Sequence, residues 1–152
     1  MRANPLYSQV RIGRAKRPFV MYKLRTMRPG TPDGASHEIG SSRITPVGSI
    51  VRRSKVDELP QLINVLLGQM SIVGPRPCLP SQHELVAARE ALGVFAVRPG
   101  ITGPAQLAGI DMSDPERLAH ADAGYLSRCS LWGDFLIVLR TFTGSGSGDA
   151  AV

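Results

Sequence analysis

Cysteines and aromatic residues are both scarce in this chain. Two cysteines, Cys78 and Cys129, are too few for a disulfide framework or a cysteine zinc site, and they read as buried or idle thiols. Aromatics make up 5% of the residues, which argues against a binder of single-stranded nucleic acid, where bases need stacking platforms. No apolar run approaches the ~20 residues that cross a bilayer, and the N-terminus carries no signal-peptide core. Neither a Walker A pattern nor a GxGxxG fingerprint occurs, so a nucleotide is not bound in those ways. His37, His83 and His120 have no partner at ligand spacing, which leaves no histidine metal set.

What is present points to one ordinary domain of 152 residues, 43% hydrophobic and 20% charged, long enough to bury a core. Lysine and arginine outnumber the acids, 18 to 12, for a net charge of +6. An anionic partner follows: a phosphorylated substrate, an anionic membrane or nucleic acid.

The apolar pattern predicts a hairpin over 7–27. Val10 and Ile12 alternate with polar residues, GRAKRP turns the chain, and Val20, Tyr22 and Leu24 alternate again, sending Lys23 and Arg25 together to the other face. Residues 28–43 read as a Gly/Pro/Ser-rich loop. Thr45-Pro46 opens a short helix with Val47, Ile50 and Val51 inward. A second helix, from about Asp57 to Leu67, places Leu59, Leu62, Ile63 and Leu66 on one buried face and starts from a capping box made by Ser54 and Asp57. MSIVGPRP, 70–77, is a short apolar segment ending in a rigid turn. Ser81 and Glu84 form another capping box, for a helix to about Leu92. VRPGITGPAQLAG, 97–109, reads as a loop. Helices follow from Asp114-Pro115 towards Arg128, and from Leu131 to Phe142 with Trp132, Phe135, Leu136 and Leu139 on one face. The expected architecture is α+β, a β-hairpin packed on several short helices in a single compact domain over 1–143, with 144–152 a disordered tail.

The candidate chemistry lies in SKVDELPQL, 54–62, where Asp57 and Glu58 stand side by side after the basic run VRRSK. Acids at a helix start can be simple caps favoured by the helix dipole. Three arginine-bearing turns, VRRS, GPRP and VRPG, tilt the reading towards a polyanionic substrate, with Arg52, Arg76 and Arg98 joined by Lys23 and Arg25 as phosphate-binding cations. Phosphoryl chemistry then gives both acids a task. One carboxylate can attack phosphorus to form an acyl phosphate. Its neighbour can hold Mg²⁺, a hard cation that takes oxygen ligands and substrate phosphates.

YKLRTM (22–27), RITPVGSIVRRSKVDELPQLINVLLGQMSIVGPRP (43–77) and VRPGITGPAQLAG (97–109) follow one another in the order and spacing of the bacterial sugar transferases. The chain resembles this family, the small monotopic phosphoglycosyl transferases, from about Pro5 to Arg140. The resemblance implies transfer of a sugar-1-phosphate from a UDP-sugar to a polyprenyl phosphate, usually undecaprenyl phosphate, at the cytoplasmic face of the membrane. It also implies a covalent aspartyl-phosphosugar on Asp57, Glu58 as the Mg²⁺ ligand, and Arg52 and Arg76 on phosphates. Nucleic acid is not an expected partner.

Departures from the family pattern are specific. Relatives open with a membrane-embedded helical hairpin, of whose junction only NPLYSQ, 4–9, is present, so membrane association is expected to be peripheral. Where relatives read ITGWAQVNGR this chain reads ITGPAQLAGI, with Pro104 for an aromatic and Ile110 for an arginine. Gln69 replaces an acid. These changes keep an alternative open: a catalytically impaired homologue that binds a phosphosugar or a partner protein.

Overall fold

The computed structural model describes residues 4–31 and 43–143. The segments read above as part of a loop (32–42) and as a tail (144–152) lie outside the described residues. Strands β1 (Leu6–Ile12) and β2 (Pro18–Leu24) form the expected antiparallel hairpin, with Val10 opposite Val20 and Arg11 opposite Phe19. The turn between them holds Ala15 and Lys16 at φ of 54° and 57°, a left-handed conformation that costs side-chain-bearing residues of order 1–3 kcal/mol each. The Gly13 N–H donates to the Arg17 carbonyl at 2.9 Å and closes it.

The hairpin presents the opposite face from the one its aliphatic alternation suggests. Val10 and Val20 are 48% and 41% exposed, while Arg11, Phe19 and Met21 are buried. Phe19 and Met21 pack with Met70 into one small core. Arg11 is drawn inward because its Nη1 donates to the Pro77 carbonyl at 3.0 Å. Beside it the Ile12 N–H donates to the Cys78 carbonyl at 2.9 Å. Two large apolar groups with a home, and a cation with a carbonyl to satisfy, outweigh the valines.

Helix α1 (Pro46–Arg53) starts where Thr45-Pro46 predicts, its N-terminus capped by the Thr45 hydroxyl, which accepts from Gly48 N–H at 2.9 Å. A single 3-10 turn, Val56–Glu58, and helix α2 (Gln61–Leu66) follow in place of one continuous helix. The Ser54 capping box does not form, because the Ser54 hydroxyl donates back to the Val51 carbonyl and Lys55 turns left-handed at φ 55°. In α1 and α2 the expected apolar faces point outward. Val47, Ile50, Leu59, Leu62, Ile63 and Leu66 are all exposed, and Gln61 and Asn64 are buried instead. The reason is backbone satisfaction. Asn64, wholly buried, donates to the Val20 carbonyl at 2.7 Å and accepts from Tyr22 N–H at 3.2 Å, tying α2 to the edge of β2. A second bond from its amide reaches Gln69 Oε1 at 2.8 Å, so Gln69 serves here as a structural acceptor.

Strand β3 (Ser71–Val73) pairs in parallel with β4 (Gly100–Thr102), a strand in a segment whose Pro/Gly content suggested only loop. Short helix α4 (Pro104–Leu107) follows it. Helices α3 (His83–Ala91) and α5 (Pro115–Leu126) pack on each other, and Cys78, Leu85, Ala105 and Leu118 make the main core between them and α4. The Ser81–Glu84 box is absent; Gln82 is the N-cap residue, its side chain accepting from Leu79 N–H. Helix α6 (Leu131–Phe142) has Ser130 as its cap and packs on β3, β4 and α4. The hairpin, two-stranded parallel sheet and six α-helices among the described residues give an α+β fold in one compact domain.

One charged pair lies at the centre. Arg89 of α3 donates to Asp122 Oδ2 of α5 from Nε at 2.9 Å and from Nη2 at 2.7 Å, with both side chains 2% exposed. Burial pushes the Asp122 carboxyl up from its ordinary value, and the facing guanidinium pulls it back. Removing one partner leaves a buried charge uncompensated, so Asp122→Ala should lower unfolding free energy by about 3–5 kcal/mol. The double change Arg89→Met/Asp122→Leu should cost less than that single change. Denaturant unfolding of the three proteins checks this; a double variant worse than the single would refute the assignment.

Candidate active site

The site is assembled where α1 presses on the end of the hairpin. Gly48 allows it: a Cβ there would stand 2.1 Å from the Thr26 carbonyl oxygen, an impossible approach. The Thr26 carbonyl accepts from Thr45 N–H and Thr45 Oγ1 at 3.0 and 3.1 Å. One turn further on, Arg52 Nε donates to Thr26 Oγ1 at 2.9 Å. The YKLRTM segment and the VRRS run are thus locked together by their own backbone and side-chain polar groups.

The 3-10 turn then packs on β2 and sets the two acids. Asp57 is 5% exposed. Glu58 Oε1 lies 3.3 Å from Lys23 Nζ and 3.2 Å from Arg76 Nη2, with all three side chains largely buried. Two cations from separate elements therefore converge on one carboxylate oxygen, beside a second carboxylate. Arg76 is held from behind, since Arg89 Nη1 donates to its backbone carbonyl at 2.7 Å. The buried pair between α3 and α5 reaches the acid site through that bond. Neither Arg89 nor Asp122 was singled out from the sequence. Each lies on its helix's buried stripe, Arg89 four residues after Leu85 and Asp122 four after Leu118, and a charge on such a stripe is the legible signal.

Of the candidate residues, Asp57, Glu58, Lys23 and Arg76 are brought together, with Arg52 fixed on Thr26 nearby. Arg25 and Arg98 form no ion pair with either acid. Arg25, just past the end of β2, donates to the Asn4 carbonyl at 2.9 Å and lies over the Tyr7 ring, and these contacts hold it away from the acids although alternation places it on Lys23's face. Arg98 lines another groove, with Arg14 and Arg17.

For a metal ion, the described residues contain no group of three or more His, Cys, Asp or Glu side chains at ligating distance. Mg²⁺ does not need one, because it keeps several waters and is bound through one or two carboxylates plus substrate phosphates. A single carboxylate such as Glu58, on a short turn next to the acid site, fits that donor set.

The model of the bacterial sugar transferase family matches residues 1–146. The chain belongs to this family. Among similar proteins, the UDP-glucose:undecaprenyl-phosphate glucose-1-phosphate transferase of Caulobacter vibrioides is 44% identical over 146 residues, covering 90% of this chain and 54% of the relative. Its namesake in Xanthomonas campestris pv. campestris is 39% identical over 145 residues, covering 89% of this chain and 30% of that protein. The UDP-N-acetylgalactosamine-undecaprenyl-phosphate N-acetylgalactosaminephosphotransferase of Aeromonas hydrophila is 36% identical over 146 residues, covering 90% and 34%. The chain thus spans from about a third to about half of the length of these relatives.

Within this sugar transferase, Ile110 does not face the acids' ion pairs. It packs against the Cys78, Leu85, Ala105 and Leu118 core, and its N–H donates to the Ala105 carbonyl at 2.9 Å. Position 110 is occupied as core packing. Pro104 sits at the first turn of α4, where its fixed φ suits a helix start.

The close approach at Gly48 generates a paired prediction. Gly48→Ala should destabilise the fold by about 1–3 kcal/mol through overpacking. Gly124→Ala, in α5 with open space around its Cβ position, should be neutral or stabilising by up to about 1 kcal/mol. Equal effects in thermal or denaturant unfolding would contradict the Gly48 contact.

Proposed function

We propose that this sugar transferase moves a sugar-1-phosphate from a UDP-sugar to undecaprenyl phosphate, with Asp57 as the nucleophile. The observation that carries the reading is the buried Asp57 beside a Glu58 clamped by Lys23 and Arg76. The relatives' names supply the substrate classes.

A carboxylate oxygen of Asp57 attacks the phosphorus that bears the sugar. The new O–P bond forms as the bond to the bridging oxygen breaks, and UMP leaves with that electron pair. The phosphate oxygen of the polyprenyl acceptor then attacks the same phosphorus, the aspartyl O–P bond breaks, and Asp57 returns as carboxylate. Burial of Asp57 keeps water from competing for the acyl phosphate. Lys23, Arg76 and Arg52 offset charge on the transferring group and, as fixed donors, need little reorganisation to do so. Glu58 orients Lys23 and Arg76 and would hold Mg²⁺, which when bound supplies further charge neutralisation to the donor phosphates.

The acceptor is a lipid, so the reaction belongs at a membrane surface, and we assign it to the cytoplasmic face. No helix among the described residues is long and apolar enough to cross a membrane. Support for contact comes from apolar side chains left in solvent: Val47 and Ile50 on α1, Leu66 on α2, and Leu131, Trp132 and Phe142 on α6. Both α2 and α6 pack on β3, whose Ile72 is itself exposed. These groups are outside the core, and so they remain available for a bilayer surface.

Asp57→Asn should abolish formation of UMP from UDP-sugars in a membrane assay while the protein stays folded. The phosphosugar adduct, detectable by mass spectrometry of quenched protein, should vanish with it. Turnover near wild type would eliminate Asp57 as nucleophile. Glu58→Gln should raise the Mg²⁺ concentration needed for half-maximal rate, with excess metal rescuing activity only in part; an unchanged metal titration would remove Glu58 from that role. Replacing Leu131, Trp132 and Phe142 by Gln should weaken partition onto lipid vesicles and leave unfolding free energy within about 0.5 kcal/mol, as expected of exposed positions.

A further inference from the structure

The hairpin turn and the VRPG segment enclose a groove of about 580 Å³ that the acid site does not use. Arg14, Arg17 and Arg98 line it, and no carboxylate does. Pro18, at the groove, is five residues along β2 from Lys23, about 17 Å in an extended strand, so this is a separate place from the Glu58 cluster. None of the three guanidiniums has a hydrogen-bond or ion-pair partner among the described residues. The nearby acid Glu90 is paired with Lys16, so it does not neutralise them.

The three arginines are also fixed at their roots. Arg14 and Arg17 are carried on a closed turn, with Arg17 N–H donating to the Arg14 carbonyl at 3.2 Å. Arg98 precedes buried Pro99, whose carbonyl accepts from Ser71 N–H at 2.8 Å. Like charges gathered on a rigid frame repel one another even at solvent-exposed positions, and an anion between them relieves that repulsion. Gln69 adds a polar group to the wall, and Leu66 and Leu67, which precede the lining Gly68, are 87% and 63% exposed.

We infer that this groove is a second anion site, which binds a phosphate group presented on a lipid headgroup or free in solution. A guanidinium fork matches phosphate oxygens in number and geometry, which a lone lysine surface does not. The inference is independent of the sugar-transfer reading, and its test measures no transfer.

The triple variant Arg14→Gln/Arg17→Gln/Arg98→Gln would be compared with Arg43→Gln/Arg117→Gln/Arg128→Gln, which removes the same charge from exposed positions elsewhere. Binding to phosphatidylcholine vesicles with and without phosphatidylglycerol, and to inorganic phosphate, would be measured for both and for the wild type, after circular dichroism establishes folding. The groove variant should lose about tenfold or more in affinity, as three charge contacts imply, and the control should stay within about twofold. Loss on phosphatidylglycerol vesicles assigns a lipid headgroup; loss confined to inorganic phosphate assigns a free ion. Equal losses in both triples would reduce the groove to net charge, and no loss in either would overturn it outright.

Discussion

The Arg89–Asp122 pair is the contact on which the acid site hangs. It joins α3 to α5 in the middle of the domain, and the remaining guanidinium nitrogen holds the carbonyl of Arg76. A buried ion pair is a weak source of net stability, because desolvating two charges consumes most of what their attraction returns. Its value here is geometric. With three of its donors committed to fixed acceptors, Arg89 sets where the GPRP turn lies, and the turn sets where the Arg76 side chain meets Glu58. An apolar pair of equal volume could fill the same space, but it could not grip a carbonyl.

The same economy of polar contacts recurs nearer the acids. Asn64 satisfies the exposed edge of β2 at Val20 and Tyr22, and by doing so fixes α2 against the strand that carries Lys23. Thr26 gathers Thr45 and Arg52. Asn64 and Thr26 are buried, and leaving either unpaired would cost about 1–3 kcal/mol. The order of the site is therefore enforced by the penalty for breaking it more than by the gain from making it.

Element positions were legible in the sequence where local chemistry decides them. The Gly/Arg/Lys turn, Thr45-Pro46, Asp114-Pro115 and the apolar stretch of α6 all produced elements at the expected places. The α+β architecture was legible as well, and two of the cations read from the motifs, Lys23 and Arg76, meet at Glu58. What failed was the direction of faces. Rules that send aliphatic stripes inward assume water on the other side, and in β1 and α2 buried positions went instead to Arg11 and Asn64, which have backbone partners that only the tertiary fold reveals, while β2 buried Phe19 and Met21 in place of its valine. The capping boxes at Ser54 and Ser81 failed for a related reason, since their hydroxyl or neighbouring amide found closer carbonyls and N–H groups. Strand β4 was hidden because its parallel partner lies nearly thirty residues earlier, and pairing across that separation leaves no local trace.

That inversion bears on the chemistry. A domain that turns leucines and valines outward and spends its interior on amides and guanidiniums has a weakly hydrophobic core for its size, and a surface that water solvates poorly. Such a surface is stable in contact with lipid, where the acceptor of the proposed reaction resides. The acid site balances nearly to neutrality: Lys23 and Arg76 pair with Glu58 and Arg52 is held on Thr26, so that, counted with Asp57, cations exceed acids by one. A UDP-sugar diphosphate brings roughly two negative charges at neutral pH, more than that excess can compensate in a region of low dielectric. On the proposed reading, the remaining charge is what a divalent cation at Glu58 supplies. On that reading the demand for metal arises from the charge balance of the enclosed site, and Glu58 would suffice as the protein's ligand because Mg²⁺ takes substrate phosphates and water for the rest of its set.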